Sequence, residues 1–202
     1  MEKPTLLLIT PPLTQLNTPY PATAYLKGYL EKIGYTVFQA DLGIELVLKI
    51  FSKNGLFLIF EEIKNEFDVF DLEIHHRKMI HLEDDYIHTI EQTILFLQNQ
   101  DPTLAHSICS LEFLPQGKRF ESQLEKAEYA FGGLDIQDKA RFIATLYLED
   151  LGDLIRETIA PEFEFSRYAE KLGLSATSFD PLHEHLQQQN GLLDDFLLEL
   201  LD

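Results

Sequence analysis

The sequence predicts an α/β fold that is predominantly helical, with a short parallel βαβ start over residues 1–41 and a mainly helical region over 42–202. Three observations predict it. Leu6-Leu7-Leu8-Ile9 is a continuous apolar run stopped by Pro11-Pro12, the pattern of a strand buried on both faces of a parallel sheet. Ala22, Tyr25, Leu26, Tyr29, Leu30 and Ile33 then recur at three- and four-residue steps, the period of a helix. After Asp41 the strand signal almost disappears, and the apolar residues keep helical spacing.

Taken in order, residues 5–10 form the first strand, and the helix that follows the proline-framed loop ends at Gly34, placed for a left-handed C-cap. Tyr35 to Ala40 carry β-branched and aromatic side chains and stop at Asp41, which makes a second strand. Strand, helix and strand in this order form a βαβ unit, for which the crossover rule predicts parallel strands and a right-handed connection. Asp41 caps a helix with Ile44, Leu48 and Phe51 on one face; Asn54-Gly55 punctuates it, and a second helix covers 56–67. Ile80, Ile87, Ile90, Ile94 and Leu97 place a helix within 80–99, and Asp101-Pro102 opens another over 102–113. Further helices are expected at 118–131, ended by Gly132-Gly133, and at 138–159, ended by Pro161. Residues 161–181, with Gly173 and Pro181, read as an extended connection before helices at 181–188 and 192–201. Two parallel strands leave their edges bare. Later segments, a second copy of the chain in a homodimer, or polypeptide beyond Asp202 are the three ways of covering them.

The net charge of −18, from 34 acidic and 16 basic residues, repels nucleic-acid backbones and anionic lipid, and Lys and Arg form no basic cluster. Neither nucleic acid nor a membrane is expected as a partner. A single cysteine, Cys109, excludes an internal disulfide and a cysteine-ligated cluster built from this chain alone, and suits a cytoplasmic location. The apolar run after Met1-Glu2-Lys3-Pro4 is too short for a signal peptide, and Leu56-Phe57-Leu58-Ile59-Phe60 runs into Glu61-Glu62 well short of a membrane span.

The loop between the first strand and the first helix lies at the carboxyl end of a strand, where open α/β sheets bind ligands. It contains no glycine, so neither a dinucleotide fingerprint nor a phosphate-cradling loop is present. Thr14, Gln15, Asn17, Thr18 and Tyr20 offer polar groups to a ligand there; the plainer reading is that the prolines end the strand and set the entry of the helix. Glu73, His75, His76, His81, Asp84, Asp85 and His88 form a second cluster. Glu73 with His76, and Asp85 with His88, share the carboxylate-x-x-His spacing of di-metal helical bundles, although a solvated acidic face produces the same pairs. His183-Glu184-His185 lacks the spacing of a zinc protease helix and reads as surface, and Cys109 sits in an apolar pattern as an inert thiol. The stripes Phe57, Phe60, Phe67, Phe70 and Phe113, Phe120, Phe131 read as core, and the acidic segment from Leu192 to Asp202 as a helix packed on its own domain. No nucleophile motif or other catalytic signature is present.

Leu6 to Pro12, Pro19-Tyr20-Pro21-Ala22, Tyr25-Leu26-Lys27-Gly28-Tyr29-Leu30, Gly34-Tyr35-Thr36-Val37 and Asp41 together resemble the start of the cobalamin-binding domain that precedes the radical SAM domain in many bacterial proteins. The resemblance implies a flavodoxin-like, Rossmann-type sheet with Pro11, Pro12, Thr14, Tyr20 and Pro21 facing the cofactor and Asp41 beside them. It also implies that S-adenosylmethionine and a 4Fe-4S cluster belong to a downstream radical SAM domain, the partner of this region. The chain departs from the family in lacking Cys-x-x-x-Cys-x-x-Cys and the base-off cobalamin motif Asp-x-His-x-x-Gly, and in its helical mass where a third strand would follow. The expectation is the N-terminal, non-catalytic part of such a protein, contributing to a cofactor-binding sheet and to substrate access. The alternatives are a self-contained acidic helical module for protein interaction, or a helical domain with a His/carboxylate metal site.

Overall fold

A computed structural model describes residues 3–12, 16, 20–120, 123, 135–161, 163–165, 178–180, 183, 187 and 191–201. The fold is α/β and mainly helical, with a two-stranded parallel sheet at its start among the described residues. The elements are β1 (Thr5–Thr10), α1 (Pro21–Lys32), β2 (Thr36–Asp41), α2 (Leu42–Ile50), α3 (Lys53–Glu66), α4 (Ile74–His81), α5 (Glu83–Leu97), α6 (Ala105–Cys109), α7 (Ile136–Glu157) and α8 (Leu192–Leu201). A short 3-10 turn, Pro102–Leu104, precedes α6. The chain divides into two compact units, residues 1–47 with 164–202, and residues 48–163, so that the boundary falls inside α2.

In the first unit β1 and β2 pair in parallel from Thr5 opposite Thr36 to Thr10 opposite Asp41. Pro21 starts α1 at a position where its missing N–H costs nothing. The helix ends as its sequence requires. Gly34 takes φ +88°, its N–H donates to Glu31 O at 2.9 Å, and the Tyr35 N–H donates to Leu30 O at 3.0 Å, a Schellman motif. Gln39 Nε2 donates to Thr23 Oγ1 at 2.9 Å and ties α1 to β2. Yet α1 buries no residue, and its expected apolar face stands open, with Tyr25 78%, Leu26 50% and Tyr29 62% exposed.

In the second unit α7 carries the core. Ala140, Ile143, Ala144, Tyr147, Leu151, Leu154 and Ile155 recur at helical steps and are buried. Opposing apolar residues come from α3 (Leu56, Ile59, Phe60, Ile63), α5 (Tyr86, Ile90, Phe96) and α6 (Ala105, Ile108). The rings of Tyr86 and Tyr147 stack at 5.4 Å, and the Tyr147 hydroxyl donates to Tyr86 O at 3.0 Å and lies 3.1 Å from Thr89 Oγ1. Burial raises both phenol pKa values. Both therefore stay neutral, and the Tyr147 hydroxyl serves as the hydrogen-bonding group.

Several expected elements differ in detail. Asp41 does cap α2, accepting from the Ile44 N–H at 3.2 Å, but Leu42, Leu46 and Ile50 are buried while Ile44 and Leu48 are exposed. This helix is apolar nearly all round, so spacing alone did not choose its inner face. Asn54-Gly55 lies within the first turn of α3, which Ser52 caps by accepting from the Gly55 N–H at 3.0 Å. The expected helix at 80–99 is two helices meeting at Leu82. The helix expected at 102–113 is shorter, because Leu111 adopts φ +63° beyond α6. Phe57, Phe67 and Phe70 are exposed rather than core: Phe57 faces outward on α3, and the other two follow its end. Most of 118–131, 161–181 and 181–188 lies outside the described residues.

Candidate functional site

The carboxyl end of the sheet brings several of the expected cofactor-facing residues together. Thr10 and Asp41 are register partners at the last rung, Thr10 buried and Asp41 half-buried. Pro11 is exposed and Pro12 half-buried directly after β1, while Tyr20 and Pro21 sit exposed at the N-terminus of α1. Thr14 lies outside the described residues. Asp41 Oδ1 is engaged by the α2 backbone. These described residues do not fit axial ligation of cobalt, since none of them is a histidine. Nor does it fit an iron-sulfur cluster. Cys109, the one thiol, is half-buried, donates to Ile136 O at 3.6 Å, and has its pKa raised by burial, the profile of an inert cysteine.

A second constellation lies wholly in the second unit. Glu73 occupies the N-cap position of α4, which places His75 and His76 in the first turn of that helix with ring centroids 3.9 Å apart. Glu157, the last residue of α7, reaches both: its Oε2 lies 3.7 Å from His75 Nε2 and 3.2 Å from His76 Nε2. Glu73 Oε2 stands 3.3 Å from the other ring nitrogen of His75, Nδ1. His76 is buried, and its Nε2 makes no hydrogen bond among the described residues, because the nearby Glu157 oxygen approaches outside hydrogen-bonding geometry. Burial is the main influence lowering the His76 pKa, the neighbouring His75 adds to it, and Glu157 and Glu73 oppose it.

This constellation borders a cavity of about 230 Å³ whose lining includes His75, Met79, Lys118, Arg119, Asp150 and Glu157. Its polar wall is organised by Arg119. The guanidinium donates to Asp153 through Nε at 2.6 Å and Nη2 at 2.9 Å, and to Glu149 through Nη1 at 3.0 Å. Asp153 also accepts from Arg156 at 2.6 Å. Such a forked, charge-assisted arrangement fixes side chains more firmly than isolated surface pairs do. The Arg119 backbone N–H donates to Asp150 Oδ1 at 2.9 Å, and burial pushes the Asp150 carboxyl up to about 6.

Of the histidine-rich cluster read from sequence, the structure therefore joins Glu73, His75 and His76 and leaves the rest apart. Glu73 meets His75, not His76. His88 is exposed and donates from Nδ1 to its own helix at Asp84 O, 2.6 Å, and His81, Asp84 and Asp85 are exposed. His183 is exposed as expected, with Glu184 and His185 outside the described residues. Glu157 and the Arg119 hub escaped the sequence reading, since no local motif links the end of α7 to α4. Among the described residues no helix is long and apolar enough to cross a membrane. Comparison of the chain with protein-family models, with curated proteins and with solved structures found no match.

Proposed function

We propose that residues 1–41 open a cobalamin-binding-type α/β sheet in a longer cytoplasmic radical SAM protein, and that the helical region after them is a non-catalytic part shaping access to cofactor and substrate. One observation carries the reading. One face of the parallel sheet is open among the described residues: Leu7 is 55%, Ile9 39% and Phe38 59% exposed, whereas Thr10 and Val37 on the opposite face are buried, and α1 beside the sheet buries nothing. Parallel strands occur almost only with both faces covered, and two of them are too few for an independent sheet. The occupant this supports is further strands and helices of the same polypeptide, which would continue the open sheet that the family resemblance implies.

On this reading Pro11, Pro12, Tyr20, Pro21 and Asp41 line one side of a ligand crevice at the carboxyl end of the strands. They supply shape and peripheral polar contact. Cobalt ligation, S-adenosylmethionine and the 4Fe-4S cluster fall to residues elsewhere, because residues 1–41 contain no histidine and the chain has no cysteine triad. The coding sequence past residue 202 tests the proposal. Further strand-helix repeats followed by a Cys-x-x-x-Cys-x-x-Cys segment are expected, and a stop codon directly after Asp202 would sink it.

A further inference from the structure

We propose that His75, His76 and Glu157 bind one divalent transition-metal ion of the zinc type, a site in the helical unit that stands independently of the cofactor reading of the sheet. The three side chains come from two helices far apart in sequence, α4 and the C-terminal end of α7. Their candidate ligand atoms all lie within 4.8 Å of one another, and the carboxylate oxygen is 3.2 and 3.7 Å from the two Nε2 atoms. Ligands held about 2.0–2.2 Å from a common tetrahedral ion are spaced roughly 3.3–3.6 Å apart, so the cluster is near the dimensions a zinc ion requires.

Burial supplies a second, independent observation. His76 is 3% exposed, and its Nε2 has no hydrogen-bond partner among the described residues although a carboxylate oxygen is beside it. A buried polar atom left this way is destabilising. A cation between nitrogen and oxygen removes that cost, because both then direct lone pairs at it rather than at each other. Glu73 completes the arrangement. Its carboxylate faces His75 Nδ1 at 3.3 Å, on the side of the ring away from the proposed ion, and such carboxylate–histidine pairs are the usual outer support of zinc histidines. Glu73 is thus a positioning residue.

Two imidazoles with one carboxylate favour zinc, iron(II) or cobalt(II) over magnesium and calcium, which prefer all-oxygen shells. Three protein ligands leave a tetrahedral ion one open position. His75 and Glu157 also line the cavity of about 230 Å³, so that position has room for water or for a small anion in the company of Lys118.

The 202-residue chain, stripped with chelator, is titrated with zinc by calorimetry and with cobalt(II) by visible absorption. One equivalent per chain with a Kd in the micromolar range or tighter, and the intense visible bands of four-coordinate cobalt, are expected. Glu157→Gln and His75→Ala each weaken zinc binding by at least ~10-fold, Glu73→Gln by roughly 10-fold, and His88→Ala leaves it unchanged. Glu157 and His75 are both partly exposed, so these variants are expected to keep the far-ultraviolet circular dichroism of the parent; His76→Gln is read only if it does the same. Millimolar or substoichiometric binding overturns the proposal. So does micromolar binding that survives both Glu157→Gln and His75→Ala, which would place the ion on surface histidines.

Discussion

At Asp150 a buried carboxyl is held by the Arg119 N–H at 2.9 Å, with Gly117 packed against its other side. Burial raises its pKa to about 6 and the Asp153 charge adds to this, while the Arg119 amide, the Arg119 guanidinium and the Gly117 amide pull it down. Because the folded value lies above the unfolded one of 3.8, this group's stabilisation is complete below about pH 4 and is lost as pH rises through 6. The loss between those limits is up to about 3 kcal/mol. Asp150→Asn keeps an oxygen for the Arg119 amide and removes the titration. Its urea midpoint should therefore fall less than that of the parent between pH 4.5 and pH 7.5, in buffers chosen for this comparison; equal slopes would refute the assignment. Gly117 is tested separately. A Cβ there would lie 2.4 Å from Asp150 Cγ and 2.9 Å from its Cβ, too close for the carboxyl alone to swing clear. Gly117→Ala should destabilise the chain by about 2 kcal/mol, read from the same midpoints.

Between α2 and α3 the chain turns through Phe51 and Ser52, and the corner depends on Gly55. An added Cβ would meet the backbone oxygens of Lys49 at 2.1 Å and Ile50 at 2.5 Å. Alanine gains about 1 kcal/mol of helix propensity over glycine, but neither oxygen can move without opening the corner. Gly55→Ala is therefore expected to cost a net ~2 kcal/mol or more, with a lowered thermal midpoint as the readout. The same glycine shows what sequence could and could not convey. Asn54-Gly55 reads as a break because glycine disfavours helices, yet here it starts one, and only the approach of a neighbouring backbone explains why. Signals contained within one element were legible: β1 as a strand, Gly34 in its left-handed cap, Asp41 capping α2, and the helix that became α7; the burial of β1 on both faces was not, since Leu7 and Ile9 are exposed. The inner face of α2 was not, since apolar residues surround it. The candidate metal cluster was half legible. Glu73, His75 and His76 stand together in sequence, but Glu157 joins them only through the packing of α7.

For the molecule as a whole, the two units differ in how completely their apolar surface is buried. In the second, Ile50, Leu56, Ile63, Tyr86, Ile90, Ile143 and Leu154 are all 0% exposed. In the first, Leu42, Leu46 and Phe196 are buried, but the βαβ start is open: Phe38 on β2 is 59% and Leu7 on β1 55% exposed, and α1 buries nothing. Apolar burial is the main favourable term in folding, so local opening should be cheap in the βαβ start and close to global in α7. Hydrogen exchange of the 202-residue chain should therefore show β1 and β2 amides exchanging at least about 100-fold faster than those of Ala144 to Leu154. The uncovered face should also drive association, against the repulsion of a net charge of −18. Light scattering after size exclusion is expected to show a concentration-dependent dimer that strengthens with salt as this repulsion is screened. Phe38→Lys, at an exposed position, should shift it toward monomer with little change in the melting of the helical unit. A parent chain that stays monomeric at high salt, with β1 and β2 as protected as α7, would mean that the sheet is already covered and needs no continuation.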